Sequence, residues 1–135
     1  MIDIDLCIVE LHDRLYSQQV LGRACSDRAE ILYHFLKYHN QKPSVARYKR
    51  RDGYNIILIS GETVHQSHVV VVLDNWVLDS NLKIKWNKEA YIKKLHELNE
   101  NQVIEMDNYL IRNSSHFINI VRDNLSQKFQ EAFNS

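Results

Sequence analysis

The run His68-Val69-Val70-Val71-Val72-Leu73, followed by Asp74-Asn75 and then Trp76-Val77-Leu78-Asp79, leaves this chain few choices. Four successive valines are β-branched and lose side-chain freedom in a helix, so the run prefers an extended strand. Asp-Asn is a turn pair, and an apolar pattern resumes after it, which makes a hairpin with a two-residue loop. That loop sets the register: Leu73 faces Trp76, Val72 faces Val77, Val71 faces Leu78 and Val70 faces Asp79. Directly paired residues share a face, as do residues two apart on a strand. His68 and Asp79 therefore project from one face as diagonal neighbours, their backbones about 7–8 Å apart, within reach of an imidazole and a carboxylate. Asn81 falls opposite His68 and is the alternative partner for the ring. An acid that ends an apolar strand can be a plain terminator; the facing histidine favours a functional carboxylate.

Upstream, Gly22–His39 reads GRACSDRAEILYHFLKYH, a loop feeding a helix with Cys25 at the seam. Cys25, Ala29, Leu32, Leu36 and His39 recur at steps of four, three, four and three, which is one face of a helix. Ser26 and Asp27 suit its start, because short polar side chains accept from unpaired N–H groups and an acid faces the positive end of the dipole. The same field favours a thiolate, and Arg23 and Arg28 add positive charge, so Cys25 is a candidate nucleophile. The alternative is a small apolar residue at the top of a core helix.

Residues 3–16 place Ile4, Ile8, Leu11 and Leu15 on one helical stripe, with Asp3 or Asp5 as its cap. Pro43 stops the long helix. Ser44–Tyr48 and Tyr54–Ser60 follow as strands on either side of an Arg51-Asp52-Gly53 turn. After the hairpin, Asn87–Asn99 reads as a helix with Ala90, Tyr91, Leu95 and Leu98 inward. Gln102–Arg112 fits an edge strand, a short hairpin or an irregular wrap. Ser114 or Ser115 should cap a last helix through about Phe133, burying Phe117, Val121, Leu125 and Phe129. Helices, then an antiparallel sheet, then helices define an α+β domain. With 135 residues and no linker or repeat, it is one domain, 1–135.

Seventeen basic residues balance 17 acidic ones, which argues against a nucleic-acid binder working through a broad positive field. Lys49-Arg50-Arg51, the densest basic run, reads as a solvated strand end or loop. Cys7 falls on the inward face of the first helix as a core thiol, so no disulfide is expected and a reducing compartment fits. With neither a leader nor an apolar run of membrane length, the expected location is the cytoplasm, leaderless export being the alternative. His65 and His68 have a spacing that zinc sites use, and Cys25 could join them. On one strand they point to opposite faces, however, and no paired-cysteine motif accompanies them, so neither metal nor other cofactor is expected.

A cysteine heading a helix, a histidine opening a strand and an aspartate ending the next strand, in that order, resembles the transglutaminase-like branch of the papain-like superfamily. The likeness covers roughly residues 16–81: GRACSDRAEILYHFLKYHN, then PSVARY, then SHVVVVLDNWVLDSN. It implies a core in which the nucleophile helix packs on a small antiparallel sheet, with helices completing the C-terminal part. It also implies Cys25 as nucleophile, His68 as general base and acid, and Asp79 as the group orienting the ring. Gln19, six residues before Cys25, takes the place of an oxyanion-hole glutamine, and the Cys25 backbone N–H is a second donor. No tryptophan follows the cysteine as in papain-type proteases, which argues against a general endopeptidase cleft. The expected activity is acyl transfer from amide bonds through a thioester, hydrolytic in preference: glutamine deamidation, a transglutaminase-like reaction or thiol proteolysis. The partner is a protein or peptide carrying a glutamine or other amide, with no nucleic acid or membrane involved. The alternative is a non-catalytic protein-binding module on the same fold.

Overall fold

A computed structural model describes residues 2–20 and 24–134, and within them the chain is α+β. Helix α1, Ile4–Leu11, starts where the Asp3 side chain accepts from the Leu6 N–H at 3.2 Å. It continues as a wider π turn over His12–Tyr16, which keeps Leu15 buried with Ile8 and Leu11. Helix α2, Cys25–Tyr38, buries Ala29, Leu32 and Leu36 as the periodicity requires. It starts at Cys25 as expected, with Asp27 in its first turn, but its capping differs from expectation. Ala24 is the N-cap, and no side chain caps the helix. Asp27 turns instead to the Arg112 guanidinium.

Strands β1 (Ser44–Arg50), β4 (His68–Leu73), β5 (Trp76–Leu78), β6 (Trp86–Asn87) and β7 (Val103–Met106) form an antiparallel sheet in the order β6-β5-β4-β1-β7. The hairpin has its two-residue loop, with Leu73 opposite Trp76, Val72 opposite Val77 and Val71 opposite Leu78. Residues 102–112 resolve into edge strand β7 followed by an irregular wrap.

Tyr54–Ser60 does not form the expected strand. Only Ile56–Ile57 (β2) is extended in a ladder, paired with Thr63–Val64 (β3) in a separate two-stranded sheet. The buried Asn99 side chain supplies what a neighbouring strand would have given. Its Oδ1 accepts from the Ile57 N–H and its Nδ2 donates to the Ile57 carbonyl, both at 2.8 Å. Arg50 is also not solvated: it is buried and forked onto the Asp52 carboxylate at 3.0 and 2.7 Å.

Two cores lie on opposite faces of the sheet. Val69, Val71, Leu73 and Leu78 face α1, α2 and the C-terminal helices. Ala46, Tyr48, Val70 and Val77 face helix α3, Lys88–Leu98, through Tyr91 and Leu95. Asn87 caps α3 by accepting from the Ala90 N–H, which leaves Ala90 exposed rather than inward. The last helical segment is capped by Asn113, not by serine, and is broken. A 3-10 turn, Ser114–Phe117, leads into α4, Ile118–Asn124, and α5 follows at Gln127–Phe133. At the break, Glu10 accepts from the N–H and hydroxyl of Ser126 at 2.7 and 2.8 Å, and Gln130 donates to the Leu125 carbonyl. These side chains satisfy backbone groups that the interruption frees, while Phe117, Val121, Leu125 and Phe129 all stay buried. No helix among the described residues is long and apolar enough to cross a membrane.

Candidate active site

His68 opens β4, and Asp79 lies one residue past β5. The hairpin register brings them together: His68 Nε2 lies 2.9 Å from Asp79 Oδ2, with both side chains buried. Asp79 also accepts from the Tyr91 hydroxyl at 2.7 Å and from the Asn81 N–H at 3.0 Å. Burial alone would push the carboxyl pKa up; the imidazole, the Asn81 N–H and Tyr91 outweigh it and hold the group below its ordinary value. For His68 the balance runs the other way. Burial favours the neutral ring, but the Asp79 charge and hydrogen bond, with the thiol of Cys25, push its pKa up.

The second ring nitrogen, Nδ1, is buried and makes no well-formed hydrogen bond. Cys25, half-buried at the first position of α2, lines the same cleft as His68, and the ring acts on its thiol. Burial raises the thiol, and the His68 hydrogen bond and charge, the Val69 N–H and the Arg28 charge together bring it below its ordinary value of 9.0. The ring is therefore turned round relative to a serine-hydrolase triad, where Nδ1 faces the acid. His68 and Asp79 belong to the sheet face that α3 covers, whereas α2 lies on the other face. His68 is the first residue of its strand, at the sheet end where the cleft shared with Cys25 opens.

Cys25, His68, Arg28, Asn81 and Gln19 line one cleft of about 660 Å³. Gln19 thus shares the candidate nucleophile's cleft, on a backbone with φ of 53°. Asn81 does not orient the ring. Its Oδ1 accepts from Arg28 Nη2 at 2.6 Å while its N–H holds Asp79. Arg28 is buried, bonds Ser80 Oγ through Nε at 3.0 Å, and lies under the Tyr16 ring. It ties α2 to the turn that carries Asp79. Arg23, expected near Cys25, lies outside the described residues.

Two participants escaped the sequence reading. Tyr91 was legible only as an inward-facing aromatic; the signal available was that a buried tyrosine hydroxyl needs a partner. Ser80 carried no signal beyond its place next to Asp79. His65 turns to Asn55 at 3.0 Å instead of joining His68 and Cys25, and among the described residues no three His, Cys, Asp or Glu side chains cluster as a metal site. Cys7 is a buried free thiol, and burial is the first reason that its pKa is raised. Comparison of the chain with family models, with curated proteins and with solved structures returned no match.

Proposed function

We propose that the protein is a cysteine-dependent acyl-transfer enzyme that acts on amide bonds of a protein or peptide, with water as the preferred acceptor. One observation carries the reading: a buried imidazole is fixed to a carboxylate through Nε2, and the same ring lines an open cleft with the half-buried thiol of Cys25 and lowers its pKa. A thiolate–imidazolium pair held this way is a nucleophile and its acid in one unit.

The steps follow from the arrangement. The Cys25 sulfur forms a bond to the amide carbonyl carbon, and the electron pair moves onto oxygen. The Cys25 backbone N–H, which has no intrahelical partner as the first donor of α2, and the Gln19 amide are suited to receive that charge. His68 Nδ1–H gives its proton to the amide nitrogen, the C–N bond breaks, and a thioester remains. Nδ1 then removes a proton from water, the hydroxide oxygen displaces sulfur, and the acid leaves. Ammonia as leaving group makes this glutamine deamidation, and a peptide amine makes it proteolysis. An amine acceptor in place of water would make it crosslinking. The papain-like, transglutaminase-like core belongs to the same reading, as does a reducing compartment such as the cytoplasm that keeps both cysteines as thiols.

The test is carboxamidomethylation by iodoacetamide at pH 7, mapped by mass spectrometry. Cys25 should label faster than the same residue in denatured protein, with Cys7 silent, and His68→Ala should remove the advantage. Slow labelling of Cys25, indistinguishable from the denatured thiol, overturns the reading and favours a non-catalytic binding module.

A further inference from the structure

A second, smaller groove of about 390 Å³ also has Cys25 in its wall. His68 lines only the first cleft, whereas its strand neighbours Ser67 and Val69 line this one. Its walls are β1, through Arg47, and the wrap after β7, through Tyr109, Leu110 and Arg112. Arg47 stands opposite Val69 in the β1–β4 ladder, so it projects on the sheet face that α2 covers.

The charges in this groove are unequally matched. Arg112 is spoken for, bound to Asp27 and to Glu30. Glu30 is further occupied by the Tyr109 hydroxyl at 2.6 Å. Glu105 stands opposite Tyr48 and so faces the far side of the sheet. No hydrogen bond or ion pair joins the Arg47 side chain to another described residue, and its Nε is buried without a partner. Its guanidinium instead lies 5.8 Å from the centroid of the Tyr109 ring, whose hydroxyl Glu30 anchors. The cation is thus held in place by stacking while its donors stay unused. Leu110, 87% exposed, adds apolar surface next to it.

We propose that this groove binds the acyl side of the substrate, and that Arg47 selects a polypeptide with an acidic side chain next to the attacked amide. The proposal rests on Cys25 being the nucleophile. His68 must protonate the leaving nitrogen, so the leaving group occupies the cleft that His68 lines. The acyl portion then runs the other way across the sulfur, into the groove of Arg47. A carboxylate there meets a guanidinium with free donors, and Leu110 meets the apolar stem of its neighbour.

Three chloromethyl ketones test it, acetyl-Glu-Gly, acetyl-Gln-Gly and acetyl-Lys-Gly, each placing its carbonyl at the sulfur. The readout is the rate of Cys25 alkylation by intact mass. Wild type should prefer the Glu probe to the Lys probe by about tenfold at low salt, with the preference shrinking towards 1 M salt. Arg47→Gln should level the three rates, and Arg47→Glu should reverse the order. The salt series needs no variant, so a misfolded Arg47→Glu leaves the test intact. Equal rates with all three probes, each above the denatured thiol, overturn the Arg47 assignment alone. A Glu preference that survives Arg47→Glu does the same. No labelling above the denatured thiol by any probe removes the nucleophile itself.

Discussion

Two buried carboxylates flank Cys25, and they are built alike. Asp79 accepts from an imidazole, a tyrosine hydroxyl and a backbone N–H. Glu30 accepts from a guanidinium, a tyrosine hydroxyl and a backbone N–H, the last from Arg112 itself at 2.6 Å. In each case burial alone would raise the pKa, and the donors lower it. What separates them is the cation. An arginine keeps its proton at any pH the fold survives, so Glu30 is a staple that fastens the wrap after β7 to α2. An imidazole, even one whose pKa is raised as here, can give up and regain its proton, which a guanidinium does not, so the Asp79 pair is the one suited to proton transfer. A perturbed, desolvated acid does not by itself mark a reactive centre; the mobility of its partner's proton does.

The widest separation between the two should come from deleting each acid. Asp79→Ala leaves a buried imidazole and the buried Tyr91 hydroxyl facing nothing, and should cost about 3–5 kcal/mol. Glu30→Ala strands Arg112, but that side chain is 40% exposed and water can take over, so about 1–3 kcal/mol is expected. Urea denaturation of both variants measures the pair. Labelling of Cys25 should fall with Asp79→Ala and persist with Glu30→Ala. Equal loss of labelling in the two would break the distinction between reactive site and staple.

A pH series sharpens the contrast. The folded pKa of His68 lies above its ordinary 6.5, so its contribution to stability is full below pH 6.5 and is lost as pH rises through the folded value. The folded pKa of Cys25 lies below 9.0. The folded thiol therefore gives up its proton before the unfolded one does, and stability rises with pH up to about 9. Between the folded pKa of Cys25 and pH 9 the two slopes oppose each other, and the wild-type profile should be flatter there than below it. Cys25→Ala removes one of them, so stability should then fall with pH, by up to about 1.4 kcal/mol per unit for one proton. Glu30 and Arg112 contribute no slope in this window. A flat profile in Cys25→Ala would mean that the imidazole is not held charged. In the same range His68→Ala should return Cys25 towards an ordinary thiol, with about a tenfold loss of thiolate at neutral pH for each unit regained.

The two sites also differ in how far they could be read from the chain. Asp79 was legible because a two-residue turn fixes a register, and a register of period two fixes which side chains meet. His68 and Asp79 are 11 residues apart, joined by local geometry. Glu30 takes its donors from Tyr109 and Arg112, 79 and 82 residues away in a segment without regular structure, and no periodicity announces that. Helix α2, its start at Cys25 and its buried stripe were legible from spacing; the missing side-chain cap was not, since Asp27 pairs with the distant Arg112 instead. The strand expected at Tyr54–Ser60 failed for a similar reason, since the Asn99 side chain, 42 residues from Ile57, replaces a strand neighbour. Pattern carries the elements, and long-range polar pairs decide their ends.

Each tyrosine should matter less than the acid it serves, and the pair, ending with the smallest effect at Tyr109, tests whether the carboxylates are equivalent receivers. Tyr91→Phe removes a donor from a buried acid whose other hydrogen-bond partners among the described residues are His68 and one N–H. A cost of about 1.5–3 kcal/mol fits a lost hydrogen bond to a buried charge. The carboxylate then concentrates its charge on the imidazole, so the Cys25 labelling profile should move to lower pH. Tyr109→Phe removes a donor from Glu30, which keeps three contacts to Arg112, and about 0.5–1.5 kcal/mol is expected. Its labelling profile with iodoacetamide should not move. A shift of the Cys25 profile in Tyr109→Phe as large as that in Tyr91→Phe would show that the staple, too, reaches the thiol.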